Sequence, residues 1–308
     1  MLSNFQKTLS KKISFEGIGL HTGLKSKINL IPLDGNKGII FKRIDLQKNN
    51  IIEANFKNVS SARLCTTLKN KFGIFVSTIE HLLAAIYITG IDNLLIEINN
   101  EEVPIMDGSS KEFVNEINKV GLKTLTQKRK YLKILKKVEL KEGEKYISIE
   151  PNEKSLEVDF QLDYKNNLIG NQRNKKNLVN GNLKDIYVSR TFCLFEDIEN
   201  IKKMGLAKGG SLDNAIVIKD QKVLNKDGLR NDKEFVNHKI LDLIGDFLLS
   251  KYRILGSVKC IQGGHKLSNS FLKLLLSDNS NFVEFEMNNK NLDNRVFKIA
   301  ENKLAVNA

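Results

Sequence analysis

Residues 91–98 read Ile91-Asp92-Asn93-Leu94-Leu95-Ile96-Glu97-Ile98, and residues 212–219 read Leu212-Asp213-Asn214-Ala215-Ile216-Val217-Ile218-Lys219. Each runs from a polar turn into an apolar strand. Each then reaches an Asp-Gly (Asp107-Gly108, Asp227-Gly228) and an amphipathic helix. The second copy trails the first by 121 residues at the aspartates, 92 and 213, and by 120 at the Asp-Gly pairs, 107 and 227. An offset this constant points to a duplicated strand–turn–helix unit. The expected fold class is therefore α+β: two domains of related topology, helices packed on sheets, with the active site in the cleft between them. The polar, basic run Lys123-Thr124-Leu125-Thr126-Gln127-Lys128-Arg129-Lys130 reads as a linker. It divides the chain into an N-terminal α+β domain, 1–125, and a C-terminal α+β domain, 126–308.

Outward from these units, Thr8 to Glu16 mixes apolar and polar residues as a strand does. The glycine-punctuated turn Gly17-Ile18-Gly19-Leu20-His21-Thr22-Gly23 follows, and then an alternating, half-buried strand from Lys25 to Leu33. Ser77-Thr78-Ile79-Glu80 has capping-box spacing, with Ser at the cap and Glu three residues on, and predicts a helix through His81 to Gly90. A second helix is expected from Lys111 to Val120, stopped by Gly121. Beyond the linker, strands are expected at Tyr131–Leu140, Lys145–Pro151 and Ser155–Tyr164. Helices are expected from about Glu196 to Met204 and from Asp232 to Ser250.

The chain has 308 residues, 41% hydrophobic and 28% charged, which excludes a disordered, collagen-like or coiled-coil chain. No apolar run approaches the ~20 residues of a membrane span. Met1 to Lys7 has no apolar stretch behind its charges, so no secretory signal is expected. Cys65, Cys193 and Cys260 are expected as reduced thiols of a cytoplasmic protein. Against 36 acidic residues stand 49 basic ones, a net charge of +13, with Lys often alternating with Asn. Trp is absent and the aromatics do not interleave with the basic runs, so nucleic acid is not expected as a partner.

Only four histidines occur, His21, His81, His238 and His265. His238 and Asp242 lie four apart on the long apolar helix and project from one face, with Asp246 on the same stripe. Buried unpaired, these groups are expensive, and a divalent metal would satisfy them; a solvated pair on an outer face would also account for the spacing. Glu80 beside His81 points about 100° away from it, which suits a carboxylate taking a proton from water near a metal held by His81. The alternative is that Glu80 only closes the capping box. His265, in Gln262-Gly263-Gly264-His265, sits in a glycine-rich loop where catalytic groups and incidental histidines both occur. Together, His81, His238 and Asp242 with an open fourth position have the layout of a catalytic zinc centre. The chemistry expected is metal-assisted hydrolysis of an amide or ester, with Glu80 as general base. His265, held as imidazolium by a carboxylate such as Asp246, would be the acid.

Seven stretches, read in order, carry a resemblance. They are Ser77-Thr78-Ile79-Glu80-His81-Leu82, Ile91-Asp92-Asn93, Val103-Pro104-Ile105-Met106-Asp107-Gly108-Ser109, Ser189-Arg190-Thr191-Phe192, Gly209-Gly210-Ser211, His238 to Asp246, and Gly264-His265. From about Thr8 to the late 260s the chain resembles the UDP-3-O-acyl-N-acetylglucosamine deacetylases, zinc amidases of lipid A biosynthesis. The resemblance implies one Zn2+ per chain held by His81, His238 and Asp242, with Glu80 as base, His265 as acid and Asp246 as its charge partner. Thr191 would donate to the oxyanion. Lys239, Lys145, Phe160, Phe192 and Gly264 would contact the UDP-linked acylated glucosamine. Phe192 to Leu206, with Phe195, Ile198, Ile201 and Leu206, would form the acyl passage, although such a stripe also fits plain core. His21 matches a family turn near the site, with no role expected beyond support.

The resemblance also implies a cytoplasmic enzyme of a Gram-negative-type bacterium, and gives +13 a purpose: an anionic substrate and peripheral association with the inner membrane surface. The chain departs from the family at Lys165-Asn166-Asn167, where a His-Pro is common, at Gln262 in place of Lys, and at Cys193 in place of Gly. These departures bear on nucleotide and acyl contacts. Two other readings stay open: a zinc hydrolase of the same fold acting on another N-acyl sugar, and a non-catalytic basic binding protein.

Overall fold

Leu94, Ile96 and Ile98 are wholly buried and alternate along a strand that occupies the centre of its sheet. The computed structural model describes residues 2–287; Met1 and residues 288–308, which the two expected domains include, lie outside the described residues. The first half runs β1 (Phe5–Leu9), β2 (Ile13–Ile18), β3 (Lys25–Pro32), β4 (Ile39–Arg43) and β5 (Ile51–Glu53). Three short strands follow, β6 (Val59–Ser61), β7 (Thr67–Lys69) and β8 (Phe75–Val76), then helix α1 (Glu80–Thr89), β9 (Leu94–Ile98) and helix α2 (Lys111–Val120). The second half runs β10 (Leu122–Lys128), β11 (Lys130–Ile134), β12 (Val138–Glu142), β13 (Lys145–Glu150), β14 (Leu156–Asp163) and β15 (Asn171–Asn177). After it come α3 (Lys184–Tyr187), β16 (Phe192–Leu194), α4 (Phe195–Lys203), β17 (Ile216–Lys219), β18 (Lys222–Val223), α5 (Glu234–Leu248), β19 (Arg253–Ile261), α6 (His265–Leu276) and β20 (Phe282–Glu286). The fold is α+β.

The two halves repeat one topology. In the first sheet the order is β2-β3-β9-β4-β5, with β9 antiparallel to β3 and parallel to β4. In the second, β19 is antiparallel to β13 and parallel to β14, with β12 and β15 outside them and β11–β20 added along the start of β19. Helices α1 and α2 bracket β9 as α5 and α6 bracket β19. The repeat therefore differs from the one expected. The partner of β9 is β19, whereas the similar stretch at 212–219 forms β17, in a three-stranded sheet inserted ahead of α5.

Three further expectations are corrected. The basic run at 123–130 is not a linker: β10 pairs antiparallel with β1, Leu9 opposite Leu122 and Thr8 opposite Lys123. A two-stranded ribbon half open to water tolerates such polar residues. Tyr131–Leu140 is two strands, β11 and the start of β12. The capping box is absent, because Ile79 is the cap, Ser77 Oγ donates to Glu101 O and the Glu80 carboxylate accepts from Thr66 N. Helix α1 is instead fixed at its far end, where left-handed Gly90 (φ 86°) closes the turn and Arg253 donates to the carbonyls of Tyr87 and Ile91.

Helices α1 and α5 pack face to face between the sheets. Every residue of α5 except Lys239 is buried, as are Glu80 to Tyr87 of α1. Gly245 permits the crossing: a Cβ there would lie 2.1 Å from the Glu80 carbonyl oxygen. That contact sets the first turn of α1 directly over the C-terminal part of α5.

Candidate active site

The crossing brings three ligand-type groups together from two helices. His81 comes from α1, and His238 and Asp242 from successive turns of α5; one ligand atom from each lies within 4.8 Å of the others. His238 Nε2 is 3.3 Å and His81 Nε2 3.6 Å from Asp242 Oδ1. His238 is 1% exposed, and Asp242 and Asp246 are each 3%, so the outer-face reading of this stripe is excluded.

The electrostatics are those of a cation site. His238 Nδ1 lies 3.1 Å from Ser189 O, so that nitrogen carries the proton and Nε2 turns a lone pair towards the cluster. Burial, helped by His81 and Lys239, lowers the His238 pKa to about 3, and the ring is neutral. Burial acts to raise the pKa of Asp242, but the Lys239 ammonium and the His265 imidazolium hold it well below the ordinary carboxylate range. Its Oδ2 accepts from Lys239 Nζ at 2.9 Å, while its buried Oδ1 has no hydrogen-bond partner. An ionised oxygen orphaned between two imidazoles is costly unless a cation meets it. Two nitrogens and one carboxylate oxygen form a donor set that fits zinc or a similar divalent metal.

Around this cluster stand further buried titratable groups. Glu80 is buried, which raises its pKa against the opposing pull of His265 and His81. His265 begins α6, with its Nδ1 2.9 Å from Asp246 Oδ2 and its Nε2 3.7 Å from Glu80 Oε1. Burial works against charge on this ring, but Asp246, Glu80 and Asp242 outweigh it and push its pKa up to about 10. Thr66 ties the two carboxylates together: its N–H donates to Glu80 Oε2 at 3.0 Å and its hydroxyl to Asp246 Oδ1 at 2.7 Å. Neither Thr66 nor Ser189 carries a spacing signal, because each sits on a segment remote in sequence from the groups it contacts, and one contact from each is made by its backbone.

The remaining expected residues fall in four places. Lys239 and Phe192 adjoin the cluster, with Lys239 Nζ 5.5 Å from the Phe192 ring centre and that ring 6.4 Å from His238. Gly264 caps α6 just before His265. Thr191 is held by its own N–H to Gly108 O at 2.8 Å and lines an apolar cavity of about 360 Å³ with His21, Phe192, Phe195, Ile198 and Ile201. No residue of α4 is buried, so its apolar stripe is a cavity wall and not core. Lys145 is not at the cluster. It lines a separate cavity of about 500 Å³ with Tyr164 and the departing residues Lys165, Asn166 and Gln262. Phe160 is a correction: it is 1% exposed in the sheet core, its ring edge under Gly263, and supports the Gly263-Gly264 turn instead of offering a face to a ligand. All three cysteines are free.

Comparison with known proteins points to one family. The family model described as LpxC, UDP-3-O-acyl N-acetylglycosamine deacetylase, matches residues 6–277. A UDP-3-O-acyl-N-acetylglucosamine deacetylase of Geotalea uraniireducens is 44% identical over 274 residues, covering 89% of each chain. Proteins of the same name from Idiomarina loihiensis and Nautilia profundicola are 40% and 42% identical, covering 91% of this chain and 93% and 95% of theirs. The chain belongs to the UDP-3-O-acyl-N-acetylglucosamine deacetylase family.

Proposed function

We propose that this chain hydrolyses the 2-N-acetyl amide of a UDP-linked 3-O-acyl-N-acetylglucosamine, releasing acetate, in lipid A biosynthesis. The observation that carries the reading is the buried, unpartnered Asp242 Oδ1 facing His81 and His238. Those three side chains would hold one zinc ion per chain. When bound, the ion supplies a Lewis acid that polarises the amide carbonyl and lowers the pKa of its water to near ~7.

The protein's own groups do the rest. Glu80, with one oxygen fixed by Thr66 N–H, takes the proton of the attacking water; its raised pKa makes it a better base than an exposed carboxylate. His265 is protonated at neutral pH, oriented through Nδ1 by Asp246, and gives its Nε2 proton to the departing amine. The Thr191 hydroxyl donates to the oxyanion of the tetrahedral intermediate. Lys239 carries positive charge beside that oxyanion. The cavity walled by α4 takes the acyl chain. Lys145 and the backbone at Gly264 face the nucleotide-sugar.

A two-domain division belongs to the same reading, with β10 going with its partner β1 so that the boundary falls after Lys128 and not at 125, as does a cytoplasmic location. Ile18, Leu24, Leu64, Phe195, Met204 and Leu212 are exposed on the segments that build the acyl cavity, and Lys202, Lys203 and Lys208 lie among them. This face supports peripheral contact with a membrane surface. The test is elemental analysis of the purified protein together with acetate release before and after chelation. One zinc per chain and activity restored by added zinc are expected; a metal-free protein whose activity ignores chelator sinks the reading.

A further inference from the structure

Glu102 is 1% exposed. Its charge is met by four donors. Oε1 accepts from His21 N at 2.8 Å and Thr78 Oγ1 at 2.7 Å; Oε2 accepts from Thr22 N at 2.8 Å and Thr22 Oγ1 at 2.7 Å. The carboxylate thus joins two segments that nothing in the sequence links, the Gly17–Gly23 turn and the residues leading into α1.

Each segment leads to a different part of the site. The turn is zipped to the second half of the chain: Gly209 N donates to Leu20 O at 3.0 Å and Lys208 N to His21 O at 3.2 Å. The approach is so close that a Cβ at Gly209 would sit 2.3 Å from Gly19 O, and one at Gly19 would sit 2.3 Å from Glu102 Oε2. Leu20, His21, Ala207 and Gly210 are the wall of the acyl cavity. On the other side, Thr78 holds a left-handed backbone (φ 54°), which a β-branched residue adopts only when something holds it there. Two residues later α1 begins with Glu80 and His81.

We infer that Glu102 is a positioning residue, fixing the acyl-cavity wall in register with Glu80 and His81 so that a chain seated in the cavity improves the geometry at the amide. The inference rests on the proposed reading of the site. Binding energy from the remote chain then appears in turnover as well as in affinity. Without the carboxylate, the two backbone N–H groups of the turn and the Thr22 and Thr78 hydroxyls lose their acceptor. Only the backbone bonds Ile105 N to Ile18 O at 3.0 Å and Val103 N to Ser77 O at 3.1 Å still tie the wall to the helix start, which loosens their register.

The test compares the parent enzyme, Glu102→Gln, Thr78→Val and Thr78→Ser on UDP-linked N-acetylglucosamine bearing a long or a short 3-O-acyl chain. Bound metal and Tm are measured in parallel. The parent is expected to favour the long chain. Glu102→Gln and Thr78→Val should each lose at least ~10-fold of that preference, through kcat on the long chain, with metal content unchanged. Thr78→Ser, which keeps the hydroxyl, should restore it. A loss shared equally by both substrates, a change in Tm alone, or Thr78→Ser behaving like Thr78→Val would overturn the inference. A parent enzyme that releases no acetate from either substrate overturns the reading of the site itself, and this inference with it.

Discussion

Replacing Gly245 by Ala tests whether the spacing of two helices sets the candidate metal site. The added Cβ would meet Glu80 O at 2.1 Å, Glu80 C at 2.9 Å and Glu80 Cα at 3.1 Å, all backbone atoms that no rotamer change can move. Real Cβ contacts essentially never fall under 3.0 Å, so α1 and α5 must part by about 1 Å at this point. Overpacking of this kind costs roughly 1–3 kcal/mol, a fall in Tm of roughly 2–12 °C. The chemical cost is larger. His81 follows Glu80 directly, so the displacement carries its Nε2 away from Asp242 Oδ1, now 3.6 Å distant. Metal ligands tolerate about 0.2 Å, and a 1 Å misplacement at a reacting centre costs on the order of 100-fold. Gly245→Ala should therefore fold, bind zinc at least ~10-fold more weakly and lose roughly 100-fold in kcat/KM for acetate release. The assays are thermal melting, zinc titration against a competing chelator, and turnover at saturating zinc. If Tm drops while zinc affinity and kcat/KM match the parent, the helix contact is mere packing and the argument fails.

Glu80→Ala and His265→Ala should keep their zinc and lose at least ~100-fold in turnover, whereas His238→Ala and Asp242→Ala should lose the metal; equal zinc loss in all four by elemental analysis means the roles are wrongly divided. The pH profile of kcat/KM should be a bell. Glu80 acts only when ionised, so activity rises as pH climbs through its raised pKa; His265 acts only when protonated, so activity falls as pH climbs through its own. The bound ion's positive charge shifts both limbs down, the alkaline one from about 10, and Glu80→Gln should erase the acid limb and His265→Ala the alkaline limb. Ile201→Asp puts an unpaired carboxylate into the apolar wall of the α4 cavity, and kcat/KM should fall at least ~10-fold more for a long acyl chain than for a short one.

What the sequence made legible depended on whether a residue's partner lies near it along the chain. Helices α2 and α5 show themselves through local signals, Gly121 as a stop in one and the apolar periodicity through Leu241 and Ile244 in the other. The stripe His238-Asp242-Asp246 is legible because four residues is one turn. Strand β10 was hidden because its partner, β1, is more than a hundred residues away and its outer side faces water, so no apolar alternation marks it. The duplication is legible, but its second member is not. Similar letters at 91–98 and 212–219 fall on β9 and β17, while the true counterpart, β19, shares only its place between a helix pair, which topology preserves and side chains need not. The same rule explains the capping box. Ser77 and Glu80 have the right spacing for each other, but each found a stronger partner in the folded chain, Glu101 O and Thr66 N. A carboxylate at a helix start that declines its local donor has been drawn away by tertiary structure, and at Glu80 the position it was drawn to, 3.7 Å from His265 and beside the ligand-type cluster, is where the proposed hydrolysis needs a proton acceptor.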